Sequence, residues 1–450
     1  LVSVHSPSSV SSIPPSRRHA NKVARPGAGT GGATKNILGA VGHDFDSYTF
    51  TDISSSFFEN AAEIFTDWED RMIFKVCNAE IDPVEQGFQP GSYDVVIAFM
   101  VIHACASLDK AIANLRKLLK PGGFLVLGEG GSDGAMQAGA GFIFGTLSGW
   151  WYGVDEGRTL SPLVNQSKWE SILKKNRFSG IDTMSPPELF DAFGITLFVS
   201  TAVDERIEFA RDPLAATTGS VYKRAVIVGG RTDTVAELSQ SLQGALRPVT
   251  EQVLTYKSIE ELDESVVDAD SVIISLVDLE EPVFKDITPE RWAKVKELFV
   301  GDRTMLWLTK GRLQDEPYGN MTVGFGRSAV HEEDGLRVQF VDIADFGSID
   351  AKELACYLLR LTARQLESED LLHTKEPEII IDSEGRELVP RLFTIRDANA
   401  RLNSTTRPIF HEVEIGKSVV ELQDDSEGPS LRELSRYETV KELIPTQPFK

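Results

Sequence analysis

The sequence predicts an α/β protein built from two successive Rossmann-like sheets, the second truncated. Three observations carry this. A glycine-rich turn, Gly27-Ala28-Gly29-Thr30-Gly31-Gly32, is followed by a strand ending at Asp52. Ser92-Tyr93-Asp94 opens a continuous apolar run, Val95-Val96-Ile97-Ala98-Phe99, without the alternation of a half-exposed strand. Four further apolar runs, 225–230, 271–276, 305–309 and 338–342, recur with helix-length spacers between them.

The glycine turn comes first in the chain and says most about ligands. Glycines let the backbone pass close to a nucleotide and turn into a helix. Asp52, at the end of the next strand, is placed to accept hydrogen bonds from ribose hydroxyls. No Lys-Ser/Thr pair follows the glycines, which excludes a P-loop. A bare structural turn would show the same glycines.

Beyond the apolar run, residues 107–119 place Leu108, Ala111, Ile112, Leu115, Leu118 and Leu119 at helical spacing. Pro121-Gly122-Gly123 stops that helix, and Phe124 to Leu127 form the next strand. Met72 to Cys77 is a further strand, and the stretches around 181–183 and 196–200 fit the closing edge of the same sheet. Residues 205–220 read as a linker, 221–400 as the second α/β region with a helix near 289–299, and 401–450 as an acidic linker with short strands.

The chain has 450 residues, enough for two or three domains, each with a sizeable core. Its net charge of −22 argues against nucleic acid or an anionic membrane as a partner held by bulk electrostatics. Cys77, Cys105 and Cys356 are too few and too scattered for a disulfide framework or a metal site, which suggests a reduced, cytoplasmic setting. No apolar run approaches a membrane span. Residues 1–25 carry seven serines and three prolines but no acid, and read as an atypical boundary, mis-spliced or truncated, with a targeting signal as the alternative. Pro26 cannot donate to a ladder, so the first strand of the sheet, expected before the glycines, looks missing.

As an ordered set, GAGTGGAT, YTFTDIS, DRMIFKV, DPVEQGF, SYDVVIA, LLKPGGFLVL, GFIFGTLSGWW and GRTLSPL carry a resemblance. Residues 27–182 resemble the class I S-adenosylmethionine-dependent methyltransferases, and more closely the C-methyltransferase domain of fungal highly reducing polyketide synthases. VIVGG, LWLTKG, VDI and EIIIDSEGRELVPRL resemble the pseudo-ketoreductase region of the same enzymes. The resemblance implies S-adenosyl-L-methionine as cofactor, held by Gly27, Gly29, Thr30, Gly31, Gly32, Asp52 and Asn78. It implies a β-ketoacyl chain on the phosphopantetheine arm of an acyl carrier protein as substrate, methylated at its α-carbon. Neighbouring ketoreductase and enoylreductase domains and a homodimer through the parent synthase are also implied; no metal is.

The family's catalytic His–Glu dyad falls on His103 and Glu129. Methyl transfer from a sulfonium to carbon needs an enolate, and an α-proton between two carbonyls is within reach of a neutral imidazole. A carboxylate on the other ring nitrogen fixes the tautomer and stabilises the imidazolium. A surface histidine and a strand-end glutamate would look alike in sequence. Asn78 stands where the family has aspartate, and Met100 where it has asparagine beside the substrate; Val23-Ala24-Arg25-Pro26 stands where the family has a hydrophobic strand ending in an acidic residue. Trp150, Trp151 and Arg158 are read as a lid over the acyl chain, with ordinary core packing as the alternative for the two tryptophans.

The second region tests poorly as a reductase. Gly229-Gly230-Arg231 is not G-x-x-x-G-x-G, and of the eight tyrosines only Tyr437 has a lysine four residues on, Lys441, in the polar tail. The region reads as structural and independent of NADP. Two rivals remain for the whole: a small-molecule O- or N-methyltransferase, and a catalytically inactive structural segment.

Overall fold

A computed structural model describes residues 22–132, 136–268, 271–314, 316–391, 395–403, 420–425 and 428–433. Fourteen of the strands it describes form two seven-stranded sheets. The first sheet contains β1 (Lys22–Arg25), β2 (Ser47–Asp52), β3 (Met72–Val76), β4 (Tyr93–Phe99), β5 (Leu119–Gly130), β6 (Thr183–Met184) and β7 (Ile195–Thr201) in the order β3-β2-β1-β4-β5-β7-β6. Strands β1 to β5 run parallel, and β7 is antiparallel to both β5 and β6. The order reverses between β1 and β4, so the C-terminal ends of those two strands open the crevice where open α/β sheets bind ligands.

Helices α1 (Gly32–Val41), α2 (Phe58–Ile64) and α3 (Leu108–Leu118) connect these strands. Ser107 caps α3 by accepting from the Lys110 amide, and its apolar stripe is buried in the same core as Val96, Ala98, Leu125 and Leu127. Helices α4 (Met136–Phe144), α5 (Gln166–Lys175) and α6 (Pro187–Phe193) lie between β5 and β7 in sequence.

The first strand is present, which corrects the expectation that it is missing. Lys22 to Arg25 pair with Ser47 to Phe50 of β2, and Val23 and Ala24 pair with Val95 and Val96 of β4. Pro26 falls just past the last ladder residue, where the lost N–H removes no bond. The Lys22 amide donates to Asp94 Oδ2 at 2.8 Å, which ties the strand's start to β4. The methyltransferase-like sheet therefore includes residues 22–25, and only 1–21 of the atypical segment lie outside the described residues.

The stretch 205–220 is not a plain linker either. It holds α7 (Glu205–Arg211) and α8 (Pro213–Ala216), each capped by an aspartate side chain, Asp204 and Asp212. Ile207 and Ala210 bury against Leu366 and Leu371, and Arg206 grips Asp370 with two bonds of 2.9 Å. Polar composition hid two short helices whose buried face is only a few residues wide.

The second sheet has the order β14-β13-β12-β11-β10-β8-β9. Its strands are β8 (Tyr222–Val228), β9 (Thr250–Tyr256), β10 (Ser271–Asp278), β11 (Thr304–Lys310), β12 (Arg337–Ile343), β13 (Glu378–Ile381) and β14 (Glu387–Leu388), all parallel except β14. Helices α9 (Asp233–Leu246), α10 (Pro289–Leu298), α11 (Gly319–Glu332) and α12 (Ala351–Thr362) link them. Strand β9 escapes sequence reading because its pattern is polar and half-buried, as suits an edge. Separately, helix α13 (Arg396–Asn403) and the hairpin β15 (Val420–Asp425) and β16 (Gly428–Glu433) belong to a unit covering 392–450. Tyr437 and Lys441 lie outside the described residues. Among the described residues no helix is long and apolar enough to cross a membrane.

Candidate functional site

The glycine loop joins β1 to α1 at the switch point of the first sheet. Gly27, Gly29 and Gly31 have φ of 58°, 54° and 83°, the left-handed region in which only glycine is unstrained. A Cβ at Gly27 would collide with the Val101 side chain, whereas one at Gly29 or Gly32 would meet nothing within 4 Å. The loop is thus packed against the end of β4 on one side and open on the other. Thr30 is exposed on it.

Asp52 closes this cradle from β2. Its Oδ2 accepts from the Gly29 amide at 2.9 Å and its Oδ1 from the Ser54 amide at 3.1 Å. Each carboxylate oxygen keeps further acceptor capacity, suited to a vicinal diol. Asn78 follows β3, and its Oδ1 accepts from the Glu80 amide at 2.9 Å in an Asx turn. Gln86 brackets the Asn78 backbone, accepting its N–H at 2.7 Å and donating to its carbonyl at 2.9 Å.

Arg25, at the end of β1, is buried. Its Nη1 donates to Thr34 Oγ1 in the first turn of α1 at 2.5 Å, and its Nε has no partner. The guanidinium lies beside the Thr34 and Tyr48 hydroxyls, and among the described residues no carboxylate is paired with it.

The second half of the site stands on β4 and β5. Met100 leaves β4 with φ 52° and donates its N–H to the Gly128 carbonyl at 2.7 Å. A single 3-10 turn, Ile102–Ala104, then presents His103. Glu129, at the end of β5, is 1% exposed and accepts three bonds from that turn. Its Oε1 receives the Ile102 and Val101 amides at 2.8 and 3.2 Å, and its Oε2 meets His103 Nδ1 at 2.6 Å. With the carboxylate accepting at Nδ1, the neutral ring carries its proton there and leaves Nε2 as the basic nitrogen. The His103 side chain keeps 16% exposure.

Arg158 does something that sequence reading does not anticipate. It is buried, and it donates to four backbone carbonyls: from Nη1 to His103 and Pro162 at 2.8 and 3.1 Å, from Nη2 to Cys105 and Ala106 at 2.5 and 2.9 Å. A Cβ at Gly153 would overlap its guanidinium, so that glycine makes its room. Glu156, in the same loop, accepts from the Leu108 amide at 3.0 Å at the start of α3. The 153–158 loop therefore clamps the His103 turn, with the Arg158 guanidinium turned to backbone carbonyls. Trp150 stacks on Phe144 with centroids 5.9 Å apart, and Trp151 donates to the Gly145 carbonyl at 2.9 Å. Around them Phe142, Leu147, Tyr152 and Leu160 are exposed.

Burial pushes the Cys105 thiol up to about 12, helped by Glu80 and Glu129, and the Cys77 thiol up to about 11. Neither is a thiolate near neutrality. Among the described residues no cluster of three or more His, Cys, Asp or Glu could hold a metal.

In the second sheet the order reverses between β8 and β10. Gly229 and Gly230 have φ of 123° and 124° there, and α9 starts three residues later. A carboxylate from this chain occupies that helix start. Glu280 Oε1 accepts from the Thr232 amide at 2.6 Å and hydroxyl at 3.1 Å, and Oε2 from the Gly230 amide at 3.4 Å. These are the donors that a pyrophosphate would use in a nucleotide fold.

Comparison with known proteins follows the same division. Residues 26–125 match the family described as "Methyltransferase domain", and residues 218–378 the family described as "HRPKS sdrA-like, NAD(P)-binding Rossmann-fold domain". Over 422 residues the chain is 70% identical to the highly reducing polyketide synthase bet1 of Neocamarosporium betae. It is 68% identical over 420 residues to sthA of Phaeosphaeria nodorum, and 46% identical over 420 residues to calA of Penicillium decumbens. These alignments cover 94%, 93% and 91% of this chain and 14%, 15% and 14% of the relatives, so the chain spans about a seventh of their length.

Proposed function

The chain carries the methyltransferase and Rossmann-fold domains of the fungal highly reducing polyketide synthases, and on that premise we propose that it methylates the α-carbon of a β-ketoacyl thioester. The observation that supports this best is the His103–Glu129 pair at the C-terminal ends of β4 and β5. The acyl chain would be presented on the phosphopantetheine arm of an acyl carrier protein. Ketoreductase and enoylreductase domains as neighbours, a homodimer through the parent synthase and a cytoplasmic setting belong to the same reading. Residues up to 204 act as the methyltransferase, and 221–400 as a pseudo-ketoreductase that supports it without nucleotide.

The residues present fit S-adenosylmethionine on two counts. The left-handed glycines leave open space above Gly29 and Gly32, and Asp52 offers acceptor capacity next to that space. Thr30 is exposed on the loop, and Asn78 follows β3, the strand paired with β2 that carries Asp52. The cofactor supplies an electrophilic methyl group on a sulfonium. His103 Nε2 removes the α-proton of the thioester, and the resulting imidazolium is held by Glu129, whose other oxygen is fixed by two amides. Burial of Glu129 keeps water from the carboxylate while the His103 ring stays partly accessible.

A second reading is favoured by Arg25. A buried guanidinium beside the glycine loop opposes a cationic cofactor and would leave a structural segment that does not turn over. Calorimetric titration with S-adenosylmethionine, followed by incubation with acetoacetyl-N-acetylcysteamine, a phenol and an amine, decides. Saturable binding weakened in Asp52→Ala, with methylation of the thioester alone, supports the proposal. Methylation of the phenol or amine supports a small-molecule O- or N-methyltransferase. Absence of binding by folded protein supports the structural reading.

A further inference from the structure

A cavity of about 210 Å³ lies against Glu129, between β5, β7 and helices α5 and α6. Glu129, Gly130 and Gly131 form one wall, and Trp169, Phe190 and Phe198 dominate the others. Two features show that this space suits an uncharged, aliphatic ligand. Two of the four polar uncharged side chains that line it are committed, Asn165 accepting from the Lys168 amide at 2.9 Å and Ser185 from the Leu197 amide at 3.1 Å, while Gln166 Nε2 lies 3.7 Å from Met184 Sδ. Apart from Glu129, whose carboxylate is spent on the His103 turn, no titratable residue lines it.

The chain after Glu129 is shaped to keep this space open beside that carboxylate, the partner of His103. A Cβ at Gly131 would run into the Phe190 ring, and one at Gly130 would press on Leu163 at 3.0 Å. The missing side chains let the Phe190 ring approach Gly131 and Leu163 approach Gly130. Trp169, buried and in ring contact with Phe198 at 5.8 Å between centroids, gives the cavity an aromatic floor.

We infer that this cavity receives the distal aliphatic part of the acyl chain and sets how long a chain the site accepts. The inference rests on the proposed β-ketoacyl reading. It gives the acyl end a place separate from the Trp150–Trp151 segment: the thioester end faces His103, and the hydrocarbon end enters between β7 and α6. Discrimination follows from transfer of methylenes out of water, about fourfold per added methylene until the space is full.

The test uses the whole chain without cofactor, titrated calorimetrically with acetoacetyl-, β-ketohexanoyl- and β-ketooctanoyl-N-acetylcysteamine. Wild type binds more tightly with each extension. Thr196→Phe, which fills the cavity from β7, loses that gain by at least tenfold for the octanoyl probe and leaves acetoacetyl binding within about twofold. Phe190→Ala extends the accepted length. Equal affinity for all three probes, or a length preference unchanged in both variants, overturns the inference. Methylation assays then separate the two readings. Length-graded binding without methyl transfer defeats only the proposed activity; acetoacetyl methylation with no length preference defeats only the cavity.

Discussion

Arg158 holds His103 by its backbone, not its ring: Nη1 donates to the His103 carbonyl at 2.8 Å, while the ring is held separately by Glu129 at 2.6 Å. The 3-10 turn is thus fixed from two sides, by a guanidinium on its carbonyls and a carboxylate on its amides. A planar fork with five donors can serve four carbonyls; a lysine ammonium has three donors and no plane.

Arg158→Lys is therefore expected to lower kcat at least tenfold while KM for the thioester changes little, because it disturbs placement of the base and not the acyl contacts. Arg158→Ala leaves buried carbonyls unpaired and costs about 1–3 kcal/mol of stability as well. Steady-state kinetics beside a denaturation curve read both. Wild-type kcat in Arg158→Ala would remove the clamp from the account.

Met100 holds a left-handed backbone, φ 52°, that costs a side-chain-bearing residue about 1–2 kcal/mol and that asparagine tolerates better. Met100→Asn and Met100→Gly should each raise the denaturant midpoint by an amount worth about 1 kcal/mol. Only the asparagine variant should also raise kcat/KM on a β-ketoacyl thioester, since it alone adds a polar group beside the substrate. Equal kinetics in the two variants would make position 100 a purely backbone matter.

The Glu280 carboxylate already sits on the amides of Gly230 and Thr232 in the second sheet. A nucleotide pyrophosphate would have to displace a like charge from those donors. NADPH fluorescence titration should show no saturable binding up to millimolar concentration. Glu280→Ala should cost about 1 kcal/mol, as loss of a helix cap does. Micromolar NADPH binding by wild type would contradict this reading of the Rossmann half.

Burial raises the Asp278 carboxyl to about 6, against an ordinary 3.8, in spite of bonds from Thr322 at 2.6 Å and Val283 at 2.9 Å. Because the folded value lies above the unfolded one, this group's stabilisation is full below about pH 4 and is lost as pH rises through about 6. Asp278→Asn keeps both contacts and removes the titration. Between pH 5 and 7.5 wild type should lose about 1–2 kcal/mol relative to the variant, read from paired denaturation curves. Parallel pH profiles would place the carboxylate in a better solvated site.

Much of the architecture is legible from local pattern, and what is not has physical reasons. The apolar run of β4, the periodic face of α3 and the Pro121-Gly122-Gly123 stop are local signals, whereas the strand order rests on pairings between distant segments. Strand β1 is illegible because it has four residues, one of them a buried arginine, and its strand identity comes from being sandwiched between β2 and β4. His103 and Glu129 can be placed at neighbouring strand ends from sequence, but the two amides that also bind Glu129 cannot. Arg158 and Glu280 act on backbone groups far along the chain, an interaction that leaves no pattern in residue types. Asn78 is placed by the end of β3, yet its commitment to an Asx turn depends on Glu80 and Gln86.

The central claim is that His103, held by Glu129, removes the α-proton. Its most direct test is the turnover of acetoacetyl-N-acetylcysteamine with S-adenosylmethionine, by mass spectrometry, in wild type, His103→Ala and Glu129→Gln. The account predicts that His103→Ala loses at least about a hundredfold in kcat with cofactor affinity unchanged, and that Glu129→Gln falls between the two. Undiminished turnover in His103→Ala would contradict it.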